Sequence, residues 1–365
     1  MNKIFLIIPN LHRGGTERVV SILSNAIDKN LFDIHLVLLQ KRGSYLKDLK
    51  DDISIIDLNI TNVRKAVFPL VSLINKEKPD LVFSALSHLN LILMACRFLM
   101  PKETKFIGRE SSIPSIMNKK EKYPKLFDFL YRIFYNKFDT IICQSEYMKD
   151  DLINNYNIFK NKINVINNPL DFQKIQKKIE LSQNPFDTET KNIIAVGSLE
   201  DVKGYDLLIH AISKIKRKDF KLSIIGEGSK ENNLKILIKK LQLEKNVELL
   251  GFRDNPYVYM KYADIGILSS RFEGFPNTVL ETLACKTPVI AFKCPGGISE
   301  IILENINGWF VNPENIDKLA ITIERNLDTK VDKKKIYQST YERYNLEYII
   351  NKYEKIFIDT IKKEK

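Results

Sequence analysis

The sequence reads as two doubly wound α/β domains in tandem, and three observations predict it. Its 365 residues exceed one ordinary core and suit two domains of roughly 150 to 200 residues each. Short continuous apolar runs alternate with longer helical patterns along the chain, as in parallel sheets covered on both faces. The alternation also pauses once, between about residues 168 and 191, where Pro169, Pro185 and many Gln and Lys side chains interrupt it. The expected division is therefore 1–168, a linker at 169–191, a second domain at 192–344 and a terminal helix at 345–365. That last helix carries Ile349, Ile350, Tyr353, Ile356 and Phe357 on one stripe, a face able to pack back onto the first domain.

In the first domain, strands are expected at 3–8, 34–39, 81–83, 106–107, 140–143 and 164–166. Amphipathic helices are expected between them at 17–27, 68–76, 89–99, 125–135 and 146–155. The opening apolar run is only about five residues long and lacks a small-residue cleavage site, so it reads as a strand and not as a signal peptide. In the second domain, strands are expected at 193–196, 221–225, 247–250, 265–268, 288–291 and 309–311, again with helices between. In such sheets ligands sit at the carboxyl ends of the strands.

Composition excludes several classes. Hydrophobic residues make up 44% and charged residues 28%, a globular balance. No run of about 18 apolar residues occurs, so no membrane-spanning helix is expected. Cys96, Cys143, Cys285 and Cys294 are scattered, without a C-x-x-C pair or a histidine cluster, which favours free thiols over a disulfide frame or a zinc site. The net charge of +12 divides as +8 over residues 1–170 and +4 over 171–365. The first-half excess suits a phosphate-bearing partner or an anionic membrane, or equally a solvated lysine-rich surface. No basic motif with interleaved aromatics suggests nucleic acid. Residues 119–137 combine Lys119, Lys120, Lys122, Lys125 and Lys137 with six Phe and Tyr side chains. Two readings stand for this stretch, a surface that lies on an anionic bilayer or a core helix with solvated lysines.

The most informative segment is Ser270-Arg271-Phe272-Glu273-Gly274-Phe275-Pro276-Asn277-Thr278-Val279-Leu280-Glu281. It leads from a strand into a helix at about 277–284, with Pro276 expected in the first turn, where its missing N–H costs nothing. N–H groups at 275–278 would then suit a phosphate or sugar hydroxyl. Glu281, a turn further on, could grip a vicinal diol such as ribose through both oxygens.

This segment resembles the E-x7-E signature of glycosyltransferase family 4, retaining enzymes of the GT-B fold, in which two Rossmann-like doubly wound domains face each other across a cleft. Other motifs resemble the family in the right order. They are Leu11-His12-Arg13-Gly14-Gly15-Thr16-Glu17-Arg18 after the first strand, Gln144-Ser145-Glu146, Asn168-Pro169, Val196-Gly197-Ser198 through Lys203-Gly204, Gly226-Glu227-Gly228, Gly251-Phe252 and Pro295-Gly296-Gly297. The resemblance implies that Gly14 and Gly15 approach the donor diphosphate and the acceptor. Lys203 matches the lysine that holds the diphosphate, whereas Ser198 stands where the family has an arginine. Gly197, Ser198, Gly274, Phe275, Pro276, Asn277, Thr278 and Glu281 then line the donor, with Glu273 on the transferred sugar. The family histidine after the fifth strand is absent. Glu110 stands at about that place, and Arg109 and His88 join it as acceptor-side candidates.

The implied activity is transfer of a hexosyl or N-acetylhexosaminyl group from a UDP-linked sugar to a lipid-linked saccharide, as in bacterial capsule, O-antigen or glycan-precursor synthesis. The implied location is the inner face of the cytoplasmic membrane. No cofactor beyond the nucleotide sugar is implied. No Asp-x-Asp pair occurs, so a metal-independent site is expected. Nor is any Ser-His-Asp or Cys-His arrangement readable at a usable spacing, which argues against a hydrolase. A nucleotide-sugar isomerase and a non-catalytic sugar-nucleotide or membrane-binding protein remain as alternatives.

Overall fold

The computed structural model describes residues 1–12, 14–187 and 189–363. The chain forms two compact units, one of Met1–Pro169 with Glu347–Lys365, the other Leu170–Leu346. Each holds one wholly parallel sheet.

The first sheet contains β1 (Asn2–Ile8), β2 (Phe32–Leu38), β3 (Ser54–Asp57), β4 (Leu81–Ser84), β5 (Lys105–Arg109), β6 (Thr140–Cys143) and β7 (Ile163–Val165). Their order is β3-β2-β1-β4-β5-β6-β7. The central strands are buried and largely apolar because helices cover both their faces; in β4, Leu81, Val82, Phe83 and Ser84 are all buried. The sequence reading passes over β3, a four-residue edge strand with neither a continuous apolar run nor a buried residue. The helix Leu346–Lys362 turns Ile349, Ile350, Tyr353 and Phe357 into this unit. Phe357 meets Phe32 at 6.0 Å and Phe83 at 5.8 Å between ring centroids.

The second sheet contains β8 (Lys191–Val196), β9 (Phe220–Ile225), β10 (Val247–Gly251), β11 (Ile265–Leu268), β12 (Val289–Phe292) and β13 (Gly308–Val311), ordered β10-β9-β8-β11-β12-β13. In both sheets the strand order reverses beside the first strand, between β1 and β4 and between β8 and β11. These are the topological switch points where such sheets place ligands.

The stretch 169–191 departs from the linker expectation. It carries the helix Phe172–Glu180, whose Phe172, Ile175 and Ile179 are buried in the second unit's core, with Asp171 as its N-cap. Three apolar residues spaced three and four apart bury a full stripe, but the surrounding Gln and Lys hide that period.

Candidate functional site

Two loops meet at the β8/β11 switch point. After β8, residues 197–204 pass through the turn Asp201–Lys203. After β11, residues 269–276 lead into the helix Asn277–Ala284. Several bonds lace the loops together. The Ser269 hydroxyl donates to the Lys203 carbonyl at 2.8 Å, and the Arg271 N–H donates to the Val202 carbonyl at 2.8 Å. The Arg271 guanidinium forks onto Asp206 at 3.0 and 2.7 Å and reaches the Asp201 carbonyl. Arg271 sits inside the motif, yet its partner is 65 residues away, and no local signal reveals the pair.

The outcome of this lacing is an ion pair. Lys203 Nζ lies 2.6 Å from Glu273 Oε1, and the Ser270 hydroxyl donates to the same oxygen at 2.6 Å. The two charged side chains keep 19% and 12% of their surface, enough to meet a ligand and little enough to be held in place. The Pro295-Gly296-Gly297 turn fixes the Glu273 backbone from the other side. Glu273 N–H donates to the Pro295 carbonyl at 3.0 Å, and Gly297 N–H donates to the Gly274 carbonyl at 3.0 Å. Gly296 has φ +123°, and a Cβ there would strike the Glu273 carbonyl, so the clamp needs glycine. Burial, then the Glu273 charge, pushes the nearby Cys294 thiol up to about 12, leaving it an inert packing group.

The donor-side residues divide on inspection. Gly197 directly follows β8, its N–H donating to the Ile225 carbonyl at 3.0 Å, and Ser198 is exposed. Gly274 is half-buried beside Glu273, and Asn277 and Thr278 are half-buried in the first turn of their helix. Pro276 precedes that turn as the N-cap instead of entering it. Phe275 is buried, its ring edge-on against Tyr344 at 5.8 Å, and anchors the loop. Glu281 is 4% exposed, with the Tyr257 hydroxyl 3.4 Å from its Oε1.

In the first unit, Gly14 caps the helix Gly15–Ala26 after β1. The Glu17 carboxylate lies across the turn against Gly14, filling the space a Cβ would take there. Burial pushes the Glu17 carboxyl above its ordinary range, against the pull of its own N–H and of His12. Arg13 of this motif lies outside the described residues.

The acceptor-side candidates need correction. Arg109 and Glu110 are both fully buried. The Arg109 guanidinium donates to the Tyr353 hydroxyl at 3.0 Å and to Asn168 Oδ1 at 2.5 Å, so its charge ties the terminal helix and the Asn-Pro pair into the unit. Glu110 accepts from Ser87, Ser111, Ser112, Tyr131 and Tyr135 and has no oxygen left to offer a ligand. Only His88 is half-exposed, its Nε2 lying 3.2 Å from Glu121 and its ring 5.1 Å from Phe127. A Ser–His–Asp chain that no spacing announces does form on the outer strands. Ser54 Oγ lies 2.9 Å from His35 Nδ1, and His35 Nε2 lies 3.0 Å from Asp33. These are neighbours through the β2–β3 register, a polar patch on a strand face.

Two parallel doubly wound units, with a part-exposed ion pair at the switch point of the second, have the architecture of the GT-B fold. Solved structures agree on the fold: Anabaena Alr3699/HepE in complex with UDP-glucose (TM-score 0.81, 18% identity, 98% of this chain and all of that one) and TarM (TM-score 0.79, 16% identity, 100% and 99%). The model for glycosyltransferase family 4 matches residues 13–174, and that for glycosyl transferases group 1 matches residues 176–343. A Campylobacter jejuni relative is 32% identical over 326 residues, covering 86% of this chain and 87% of its own length. It is the N-acetylgalactosamine-N,N'-diacetylbacillosaminyl-diphospho-undecaprenol 4-alpha-N-acetylgalactosaminyltransferase. The amylovoran biosynthesis glycosyltransferase AmsD of Erwinia amylovora is 22% identical over 98% of this chain. The chain belongs to glycosyltransferase family 4.

Proposed function

We propose that this enzyme is a retaining, metal-independent glycosyltransferase that moves a hexosyl or N-acetylhexosaminyl group from a UDP-linked donor to a lipid-linked saccharide during assembly of a bacterial polysaccharide. The observation that carries the reading is the Lys203–Glu273 pair at the β8/β11 switch point, fixed by the Arg271 and Gly296 contacts. Two relatives support the substrates: one is named for a diphospho-undecaprenol acceptor, and another is solved with UDP-glucose.

The donor's diphosphate takes Lys203 from Glu273, and Glu273 turns to the hydroxyls of the transferred sugar. Glu281 holds the ribose, and Gly14 and Gly15 are donor-binding residues. The acceptor hydroxyl attacks the anomeric carbon on the face that the diphosphate leaves. The carbon–phosphate oxygen bond breaks, and the hydroxyl's proton passes to the departing diphosphate. The protein contributes orientation and charge stabilisation. Among the described residues no helix is long and apolar enough to cross a membrane. We place the enzyme peripherally on the inner face of the cytoplasmic membrane, through the basic, aromatic stretch 119–137, whose Leu126, Phe129 and Ile133 are exposed.

The test incubates the enzyme with UDP-glucose, UDP-galactose and their N-acetylamino forms, with undecaprenyl-diphosphate saccharides, with and without EDTA. Transfer with retained anomeric configuration is expected in both conditions. Epimerised donor would indicate an isomerase, binding without turnover a non-catalytic protein. Activity abolished by EDTA and restored by Mn²⁺ would overturn metal independence.

A further inference from the structure

The helix Pro124–Phe134 is amphipathic with its apolar face outward. Leu126, Phe129 and Ile133, at i, i+3 and i+7, form one stripe facing solvent, with Phe129 57% exposed. Its inner face is held by polar bonds. Asp128 accepts from Asn118 at 2.9 Å and from the Tyr156 hydroxyl at 2.8 Å. Tyr131 turns inward with Tyr135 of the following turn; their rings stack at 4.2 Å, and both hydroxyls donate to Glu110 Oε2, at 3.0 and 2.6 Å.

Glu110 is where three pieces of the first unit converge. It directly follows β5, and its N–H continues the ladder onto the Ile142 carbonyl at 2.8 Å. Its second oxygen accepts from Ser87, at the start of the helix Ser87–Ala95, at 2.8 Å. The same oxygen accepts from the Ser111 N–H at 3.0 Å and from the Ser112 N–H and hydroxyl at 3.4 and 3.3 Å. Among the described residues no cation pairs with it; every donor is neutral. Burial first, then the Glu110 charge, pushes both tyrosine hydroxyls well above their ordinary range, so both remain donors. A buried acceptor held this way is costly to leave unsatisfied, so the groups around it shift together or not at all.

We infer that Glu110 is a positioning residue that joins the outward-apolar helix Pro124–Phe134 to the loop 110–112 and to the start of the helix Ser87–Ala95, so that docking of the first on lipid orders the other two. This rests on the membrane reading above, and the experiment separates the two.

The full-length enzyme is followed by amide hydrogen exchange, alone and with vesicles of equimolar phosphatidylglycerol and phosphatidylcholine. Vesicles should slow exchange at 123–134, and also at 111–117 and 87–91. In Tyr131→Phe/Tyr135→Phe, slowing at 123–134 should persist, while the change at both remote segments is lost. Ser87→Ala, a milder change, should lose it only at 87–91, which keeps the test open should the double variant fold poorly. No vesicle binding by the wild type removes the membrane reading. Binding with protection confined to 123–134, or remote protection unchanged in all variants, overturns the role of Glu110.

Discussion

Glu110 and Glu273 are both glutamates set just beyond strands of a parallel sheet, one in each unit, and they have opposite fates. Glu110 is the first residue after β5, and its backbone still bonds to the next strand, so its side chain is trapped between the sheet and the helices above it. Six hydrogen bonds from neutral donors saturate it. Glu273 lies five residues past the end of β11, on a loop that a second turn clamps by its backbone alone. Its carboxylate has one lysine and one serine for company and stays partly exposed. A carboxylate next to the ladder becomes structure; one carried beyond it, with only its backbone fixed, remains available to a substrate.

Mutation of the two residues should separate turnover from stability. Glu273→Gln should lower kcat by roughly thirty- to a thousand-fold, about 2 to 4 kcal/mol, with UDP affinity by calorimetry and the melting temperature nearly unchanged. Normal turnover would mean that the site lies elsewhere. Glu110→Gln should do the reverse. It sets an amide donor against hydroxyl or N–H donors in a buried pocket, at a cost of about 1 to 3 kcal/mol in urea unfolding. A variant as stable as the wild type would show that this network carries no such energy.

Glu281 sharpens the contrast from an intermediate position, since it is nearly buried yet proposed to hold the ribose. Glu281→Gln keeps the volume and an acceptor for Tyr257, so stability should hold. UDP binding should weaken by roughly ten- to a hundred-fold, as for the loss of a charged hydrogen bond, with kcat little changed. An unaltered UDP Kd would remove Glu281 from the donor site.

The smallest effect belongs to an exposed carboxylate, Asp219. Arg217 forks onto it at 2.7 and 2.6 Å and holds its carboxyl down to about 2, from an ordinary 3.8. A depressed folded-state value gives stability that is present above about 4 and lost as pH falls toward about 2. Asp219→Asn should therefore melt slightly lower than the wild type at neutral pH, and the gap should close on acidification and in high salt. A gap that persists below pH about 2 would assign the effect to something other than this charge.

Whatever depends on neighbours in sequence was legible there. Continuous apolar runs placed twelve of the thirteen strands found among the described residues, because a parallel strand buried on both faces has no polar alternation to lose. The helix after Pro276 was readable to its ends from its apolar period, although Pro276 proved to be its N-cap and not a first-turn residue. The family resemblance, and not any spacing between them, put Glu273 and Lys203 forward as members of one donor site. What needed the tertiary structure was every partnership between distant residues. The Lys203–Glu273 pair spans 70 residues and the Arg109–Tyr353 bond 244, and neither leaves a local trace. The same holds for which face a helix hides. Periodicity marks the Leu126–Phe129–Ile133 stripe as one face, but only the Asp128, Tyr131 and Tyr135 bonds inside the first unit decide that this apolar face is the outer one. Burial is decided by what packs against a residue, and folding alone brings those groups together.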